Sequence, residues 1–346
     1  MHPEYSSYAE RAALKLSPEL LAYVAGGAET ETTLRRNRHA LDTTALIPRL
    51  LEDVSAIDTT AGVLGMRLSL PVLLAPVGSL HLLHADGLDG AAAAAHRHGV
   101  CFAAGCVVRG ASEWVVPPGT TAVYQLYVEG DDDWVLEQCR VAEQRGFSGV
   151  AITADAPVFP VRRRDIHAGN HAADRSKAGT SLYRKCFTWR SFERIARELP
   201  ELRLILKGVQ DPDDAQRAYD AGASAVYVSN HGGRQLDHGQ GAIDLVAPVA
   251  RVLKGRLPLI VDGGFTSGLD VLKALVAGAD LVGIGRSYLY PYAAGGGDLL
   301  SQYLSELDSE LRTAMALVGA SSIAQLKSIK TGKAQAVGKG NAQDGW

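Results

Sequence analysis

The stretch SAVYVSNHGGRQLD, residues 224–237, begins as an apolar run and breaks abruptly into polar and glycine residues. Its first half carries β-branched and aromatic side chains on successive positions, the pattern of a strand buried on both faces. Its second half places His231, two glycines, Arg234 and Asp237 just past the strand's C-terminal end. An imidazole titrates near neutrality, and a guanidinium presents a planar fork that fits a carboxylate. Alone, the segment also reads as a strand with a polar cap, and the surrounding pattern tells the two apart.

The same grammar of apolar strand, glycine or polar turn, and helix recurs from about residue 70 to about residue 320. Before the quoted segment lie PVLLAPV (71–77), VCFAAG (100–105), TAVYQLYV (121–128), GVAITAD (149–155) and LRLILKG (202–208); after it lie LPLIVDG (257–263) and DLVGIGR (280–286). Helical patterns at 87–98, 132–145, 211–221 and 268–277 separate them. Eight near-continuous apolar strands alternating with helices predict an α/β chain folded as a parallel (β/α)8 TIM barrel; a doubly wound sheet would more often show about six strands. Residues 1–65 read as a helical extension packing on the barrel, with Ser17 as N-cap, Pro18 at the first helical position and Gly26 or Gly27 as the stop. The barrel is expected over 66–325 and an aperiodic tail over 326–346. One connection, Ala156 to about Thr188, is far longer than its neighbours, as functional loops are.

Hydrophobic residues make up 47% of the 346 and charged residues 21%, a soluble globular balance, and the net charge of -3 gives no reason to expect nucleic acid or an anionic membrane. No apolar stretch is long enough to span a bilayer, and the N-terminus lacks signal-peptide character. Cys101, Cys106, Cys139 and Cys186 show no metal-ligand spacing, so no metal is expected, and reduced thiols in the cytoplasm are the simplest reading.

Reactive groups of a barrel gather at the C-terminal ends of its strands. Those ends hold the turn Ala75-Pro76-Val77-Gly78-Ser79, then Gln125 and Tyr127, Thr153 and Asp155, Lys207, Ser229 and His231, Asp262-Gly263-Gly264, and Gly285-Arg286. Glycine turns after the seventh and eighth strands commonly bind phosphate, and Arg286 adds a fixed cation there. Gln125, Thr153 and a deep Lys207 suit a flat ring with an amide-like edge and a site of developing negative charge. Phosphate and ring together spell FMN; no strand–GxGxxG–helix unit supports NAD or FAD.

From about Leu20 to about Gly319 the chain resembles the FMN-dependent 2-hydroxy acid oxidases and dehydrogenases, the group of glycolate oxidase, lactate oxidase and mandelate dehydrogenase. SNHGGRQLD matches their active-site signature, and YVAGGAE, QLYV, TADAP, LKGV, VDGG and GIGR follow in the expected order. The resemblance implies oxidation of an (S)-2-hydroxy acid to the 2-oxo acid. In it His231 is the base, Asp155 orients it, and electrons pass to flavin N5 and on to oxygen or another acceptor. Arg162 and Arg234 are implied to hold the substrate carboxylate, with Tyr23 and Tyr127 as further substrate contacts. Lys207 is implied beside flavin N1, and Gln125, Thr153, Ser229, His231, Arg234, Cys106 and the Ala75–Gly78 turn around the ring. Asp262, Gly263, Gly264, Gly285 and Arg286 fall to the ribityl chain and phosphate. Relatives are commonly tetramers or octamers, so a homo-oligomer is implied.

Departures from the family pattern are informative. A second phosphate arginine usual after DGG is replaced by Phe265-Thr266-Ser267, a hydroxyl near the flavin edge by Gly105-Cys106, and an aromatic beyond it by Val107. The loop after the fourth strand is shorter than in many relatives. These changes predict a roomier pocket suited to a bulky 2-hydroxy acid. An isomerase-type FMN barrel, or a barrel that only binds a phosphorylated ligand, is the alternative.

Overall fold

A computed structural model describes residues 3–78, 80–169 and 182–334; Ser79 and His171 lie outside the described residues. Eight parallel strands close into a barrel: β1 (Val72–Leu74), β2 (Cys101–Gly105), β3 (Ala122–Leu126), β4 (Val150–Thr153), β5 (Leu204–Val209), β6 (Ala225–Val228), β7 (Leu259–Asp262) and β8 (Leu281–Ile284). Closure runs through the pairing of β8 with β1, Val282 opposite Val72. Each strand is buried on both faces for the reason its sequence anticipates. One set of alternate residues, among them Leu73, Ala103, Val123, Ala151, Ile205, Tyr227 and Ile260, fills the interior. The other set, such as Phe102, Tyr124, Ile152, Val226 and Val261, packs outward on the helices.

A small hairpin (Ala61–Val63 with Met66–Leu68) adds Val63, Met66 and Leu68 to the interior cluster, and the Ser69 N–H bonds Gly99 O just ahead of β2. It therefore plugs the barrel at the N-terminal ends of the strands and leaves the opposite mouth to polar side chains.

The N-terminal helices are α1 (Pro3–Ala13), α2 (Pro18–Ala25) and α3 (Thr32–Asp42). Ser17 Oγ caps α2 by accepting from Leu20 N, and Gly26 ends it. The outer helices are α4 (Gly87–Arg97), α5 (Asp132–Gln144), α8 (Trp189–Glu198), α9 (Pro212–Asp220), α10 (Ala242–Leu253), α11 (Gly268–Ala277) and α12 (Arg286–Val318). Two short helices, α6 (Arg163–His167) and α7 (Leu182–Cys186), belong to the long connection after β4.

The C-terminal segment differs from the aperiodic tail expected after residue 325. Lys330–Lys333 is a strand, antiparallel to Thr44–Ile47, with Ala45 opposite Gly332. Its sequence KTGK has no apolar alternation, so its order comes from pairing with a distant partner.

Candidate active site

His231 lies three residues past β6, and its backbone is left-handed (φ 58°), as are Gly232 and Gly233 after it. A non-glycine residue in that region is strained and persists only when its surroundings hold it. The His231 N–H donates to Ser229 Oγ at 3.0 Å, and Asn230 Oδ1 accepts from Gly233 N. The N-terminal segment also lies on this turn, since the Ala28 N–H donates to Gly233 O.

The imidazole is held at both nitrogens. Nδ1 lies 3.2 Å from each Asp155 carboxylate oxygen, and Nε2 lies 3.0 Å from the Tyr127 hydroxyl. Burial lowers the His231 pKa below its ordinary value despite the opposing pull of Asp155. For Asp155, burial acts to raise the pKa, but His231 and Lys207 outweigh it and hold the carboxyl below its ordinary value. Space for Asp155 comes from a register shift in β5 between Lys207 and Val209. Gly208 sits there at φ 106°, and a Cβ on it would stand 2.6 Å from Asp155 Cβ.

Arg162 and Arg234 form the second cluster. Arg234 Nη1 donates to the carbonyls of Tyr23 (2.6 Å) and Gly26 (2.7 Å), and its guanidinium carbon stands 4.8 Å from the Tyr23 ring centroid. Arg162 Nη2 reaches Arg234 O at 3.4 Å. Arg162 Nε and Arg234 Nη2 are buried donors without a hydrogen-bond partner, and the nearest Asp165 oxygen is 4.0 Å from Arg234 Nη2. Burial first, and then the charge of Arg234, pulls the Arg162 pKa down to about 10, with Tyr23 and Tyr127 among the groups acting against that fall. Two neighbouring buried guanidinium groups with unused donors make a site for an anion.

Deeper in the mouth, Gln125 Nε2 donates to Thr153 Oγ1 at 2.9 Å. The buried Lys207 ammonium donates to Ser229 Oγ at 3.0 Å, which in turn donates to Asp262 Oδ1 at 2.6 Å; Lys207 remains 3.7 Å from that carboxylate. The first turn, Ala75 to Gly78, is backed by the Tyr288 hydroxyl on Ala75 O. A Cβ on Gly78 would collide with Val107 Cγ2 at 2.6 Å, so Val107 closes on that turn. Cys106 Sγ accepts from the Tyr127 N–H at 3.3 Å, and burial pushes its thiol up to about 11. Past β7, Gly263 and Gly264 have φ of 122° and 92°. Gly285, at the N-terminus of the 33-residue α12, has open space where a Cβ would be.

These features fit FMN. A helix N-terminus with clear space before it suits a phosphate, and the buried ammonium with the Gln125–Thr153 pair suits the polar edge of a ring. Arg286, expected as the phosphate cation, also binds the backbone of the N-terminal segment. Its Nε, Nη1 and Nη2 donate to the carbonyls of Val24 (3.0 Å), Gly232 (2.9 Å) and Gly26 (2.6 Å). The end of α2 leaves carbonyls that need donors, and Arg286 supplies them while tying α2 to the His231 turn.

Comparison with known proteins bears on the same site. The family model described as FMN-dependent dehydrogenase matches residues 12–331. The chain belongs to that family. It is an FMN-dependent oxidoreductase acting on 2-hydroxy acids. Among its relatives is 4-hydroxymandelate oxidase of Amycolatopsis orientalis, 35% identical over 345 residues that cover 93% of this chain and 96% of that protein. L-lactate dehydrogenase of Alcaligenes faecalis is 33% identical over 367 residues, covering 93% and 97%. A crystal structure of mandelate oxidase superposes with a TM-score of 0.88 at 33% identity, covering 95% of this chain and 98% of that one.

Two residues that shape this site escape a reading of strand ends. Asn37 on α3 exchanges amide hydrogen bonds with Asn230 (3.0 and 2.6 Å) and accepts from Ala242 N at 2.9 Å. Asp237, inside the signature, accepts from Thr33 N (2.7 Å) and Thr30 N (3.0 Å) and so caps α3, whose own N-cap residue Glu31 makes no cap bond. Asn37 is a lone polar residue on a mixed helix, and Asp237, although part of the signature, carries no local sign of its partners on α3. Arg163 and Arg164 pair with Glu29 and Glu31 and line, with His167, a surface cleft of about 490 Å³. Among the described residues no His, Cys, Asp and Glu group is arranged to hold a metal ion, and no helix is long and apolar enough to cross a membrane.

Proposed function

We propose that Arg162 and Arg234 bind the carboxylate of the 2-hydroxy acid, that Tyr23 and Tyr127 contact it, and that His231 takes the proton given up by its CH–OH unit. The observation that carries this assignment is the pair of buried, unpartnered guanidinium donors, with Arg162 acting on the same Tyr127 that bonds the Asp155-held imidazole. FMN, when bound, supplies the two-electron acceptor. Two guanidinium groups neutralise the substrate anion and fix its orientation, so that the reacting carbon faces the base in one geometry. Asp155 stabilises the imidazolium that forms when His231 Nε2 accepts the proton. Lys207, Gln125, Thr153 and Ser229 are assigned to the flavin ring, with Gly263, Gly264 and the N-terminus of α12 at the ribityl phosphate. An isomerase-type reading leaves the guanidinium pair without a role.

The preferred substrate is inferred to be bulkier than glycolate, with an aromatic side chain. Val107 in place of an aromatic, and relatives named as mandelate oxidases, support this. Oxygen is inferred as acceptor on the oxidase relatives, and a cytoplasmic setting on the four cysteines, all free thiols. Self-association is inferred from exposed Leu50, Leu51 and Leu317, brought near one another where Arg49 N bonds Val318 O; light scattering tests it.

The assay is steady-state turnover of (S)-mandelate, 4-hydroxymandelate, L-lactate and glycolate, under air with peroxide detection and anaerobically with a dye acceptor. Preference for the aromatic acids with peroxide formation is expected. Equal turnover of glycolate overturns the bulky-substrate reading, and activity with dye alone overturns oxygen as acceptor.

A further inference from the structure

Arg184 belongs to α7, beyond the long β4 connection, and no motif marks it. Its guanidinium carbon nevertheless stands 4.5 Å from the centroid of the Tyr127 ring, and its Nη2 donates to Glu129 Oε1 at 2.5 Å. Residues 127 and 129, two positions apart just past β3, thus take one arginine between them. α7 has no buried residue, yet the Arg184 side chain is only 14% exposed, and its Nε is buried without a hydrogen-bond partner. An arginine on a surface helix can ordinarily keep its head in water; here it gives up hydration to lie against an aromatic ring. That ring carries the hydroxyl 3.0 Å from His231 Nε2.

We propose that Arg184 is a positioning residue for the oxidation, holding the plane of the Tyr127 ring and thereby the hydroxyl that aims His231. The hydrogen bond fixes the Tyr127 oxygen and the imidazole lies nearly parallel to one side of the ring, its centroid 6.3 Å away; the cation adds a further restraint on the plane of the ring. Glu129 holds Arg184 in this pose and contributes less than Arg184 itself. The inference rests on His231 being the base and adds to it a residue supplied from outside the signature.

The test is anaerobic stopped-flow reduction of the FMN-loaded enzyme by (S)-mandelate and L-lactate, across pH, for wild type, Arg184→Met, Arg184→Lys and Glu129→Gln. Thermal melts and the flavin spectrum are recorded alongside. Arg184→Met is expected to slow reduction at saturating substrate on the order of ten- to thirtyfold, the range that loss of a largely desolvated cation–π contact spans. Its acid limb is expected to move to higher pH, because a cation near the base is gone, while the substrate Kd stays within about threefold since the carboxylate pair is intact. Arg184→Lys, which keeps the charge but not the plane, should keep the wild-type acid limb and lose about threefold in rate, and Glu129→Gln should lose less than Arg184→Met. An Arg184→Met enzyme that reduces within twofold of wild type, or whose loss lies in Kd and melting temperature with an unmoved pH profile, overturns the inference. Should that variant fail to hold FMN, Arg184→Lys decides, and a wild-type rate there overturns it. Failure of both acids to bleach the wild type overturns the base assignment and this inference together; bleaching in an unaffected variant overturns this inference alone.

Discussion

Asp155 meets His231 with both carboxylate oxygens, each 3.2 Å from Nδ1, while the Tyr127 hydroxyl takes the other ring nitrogen. The pair carries a definite pH signature. A base works when neutral, and burial lowers the His231 pKa against the pull of Asp155. The kcat/KM profile should therefore stay flat as pH falls to the ordinary histidine value of about 6.5 and drop only below it. Asp155→Asn removes the anion that favours the imidazolium. The acid limb should move to still lower pH while the rate falls on the order of a hundredfold or more. A limb that moves upward in that variant contradicts the assignment.

Arg162 and Arg234 should behave as an anion pair. Arg162→Leu removes a charged donor whose hydrogen bonds are worth about 1.5–3 kcal/mol each, so KM for a 2-hydroxy acid should rise at least about tenfold. Arg162→Lys should restore only part of the loss, because a point charge does not reproduce the planar fork. Steady-state kinetics on both variants checks this.

Asp237 should matter for stability and not for the chemical step. Asp237→Ala leaves the N-terminus of α3 uncapped and should cost about 1–2 kcal/mol in chemical denaturation at neutral pH. Burial acts to raise the Asp237 pKa, but bonds from Thr33, Thr30, His238 and Thr32 hold it well below the ordinary value. A depressed native pKa means that the contribution is present above the unfolded value of about 3.9 and is lost as pH falls towards the native one. The stability gap between wild type and Asp237→Ala should thus shrink in acid.

The barrel was legible because each strand is an apolar run bounded by a turn, and strand ends fall on one rim. Gln125, Thr153, Lys207 and Ser229 could be placed there from register alone, and the structure joins them pairwise. What escaped depends on contacts between residues far apart in the chain. The Asn37–Asn230 exchange spans 193 positions and the Arg286–Val24 bond 262, and neither leaves a local pattern. Arg286 reads as a phosphate ligand because a cation after a glycine turn usually is one; only the folded chain shows the carbonyls of α2 beside it. Arg184 and the Lys330–Lys333 strand are invisible for the same reason, since surface-like residues gain their roles from a partner.

The central claim, that a carboxylate-bearing 2-hydroxy acid is held by two guanidinium groups against a histidine base, is tested most directly by anaerobic titration of the yellow, FMN-loaded protein. Addition of (S)-mandelate should bleach the flavin absorbance, and mandelamide, which lacks the anion, should bleach it slower by at least about tenfold. Equal bleaching by acid and amide, or none with any 2-hydroxy acid, contradicts the account.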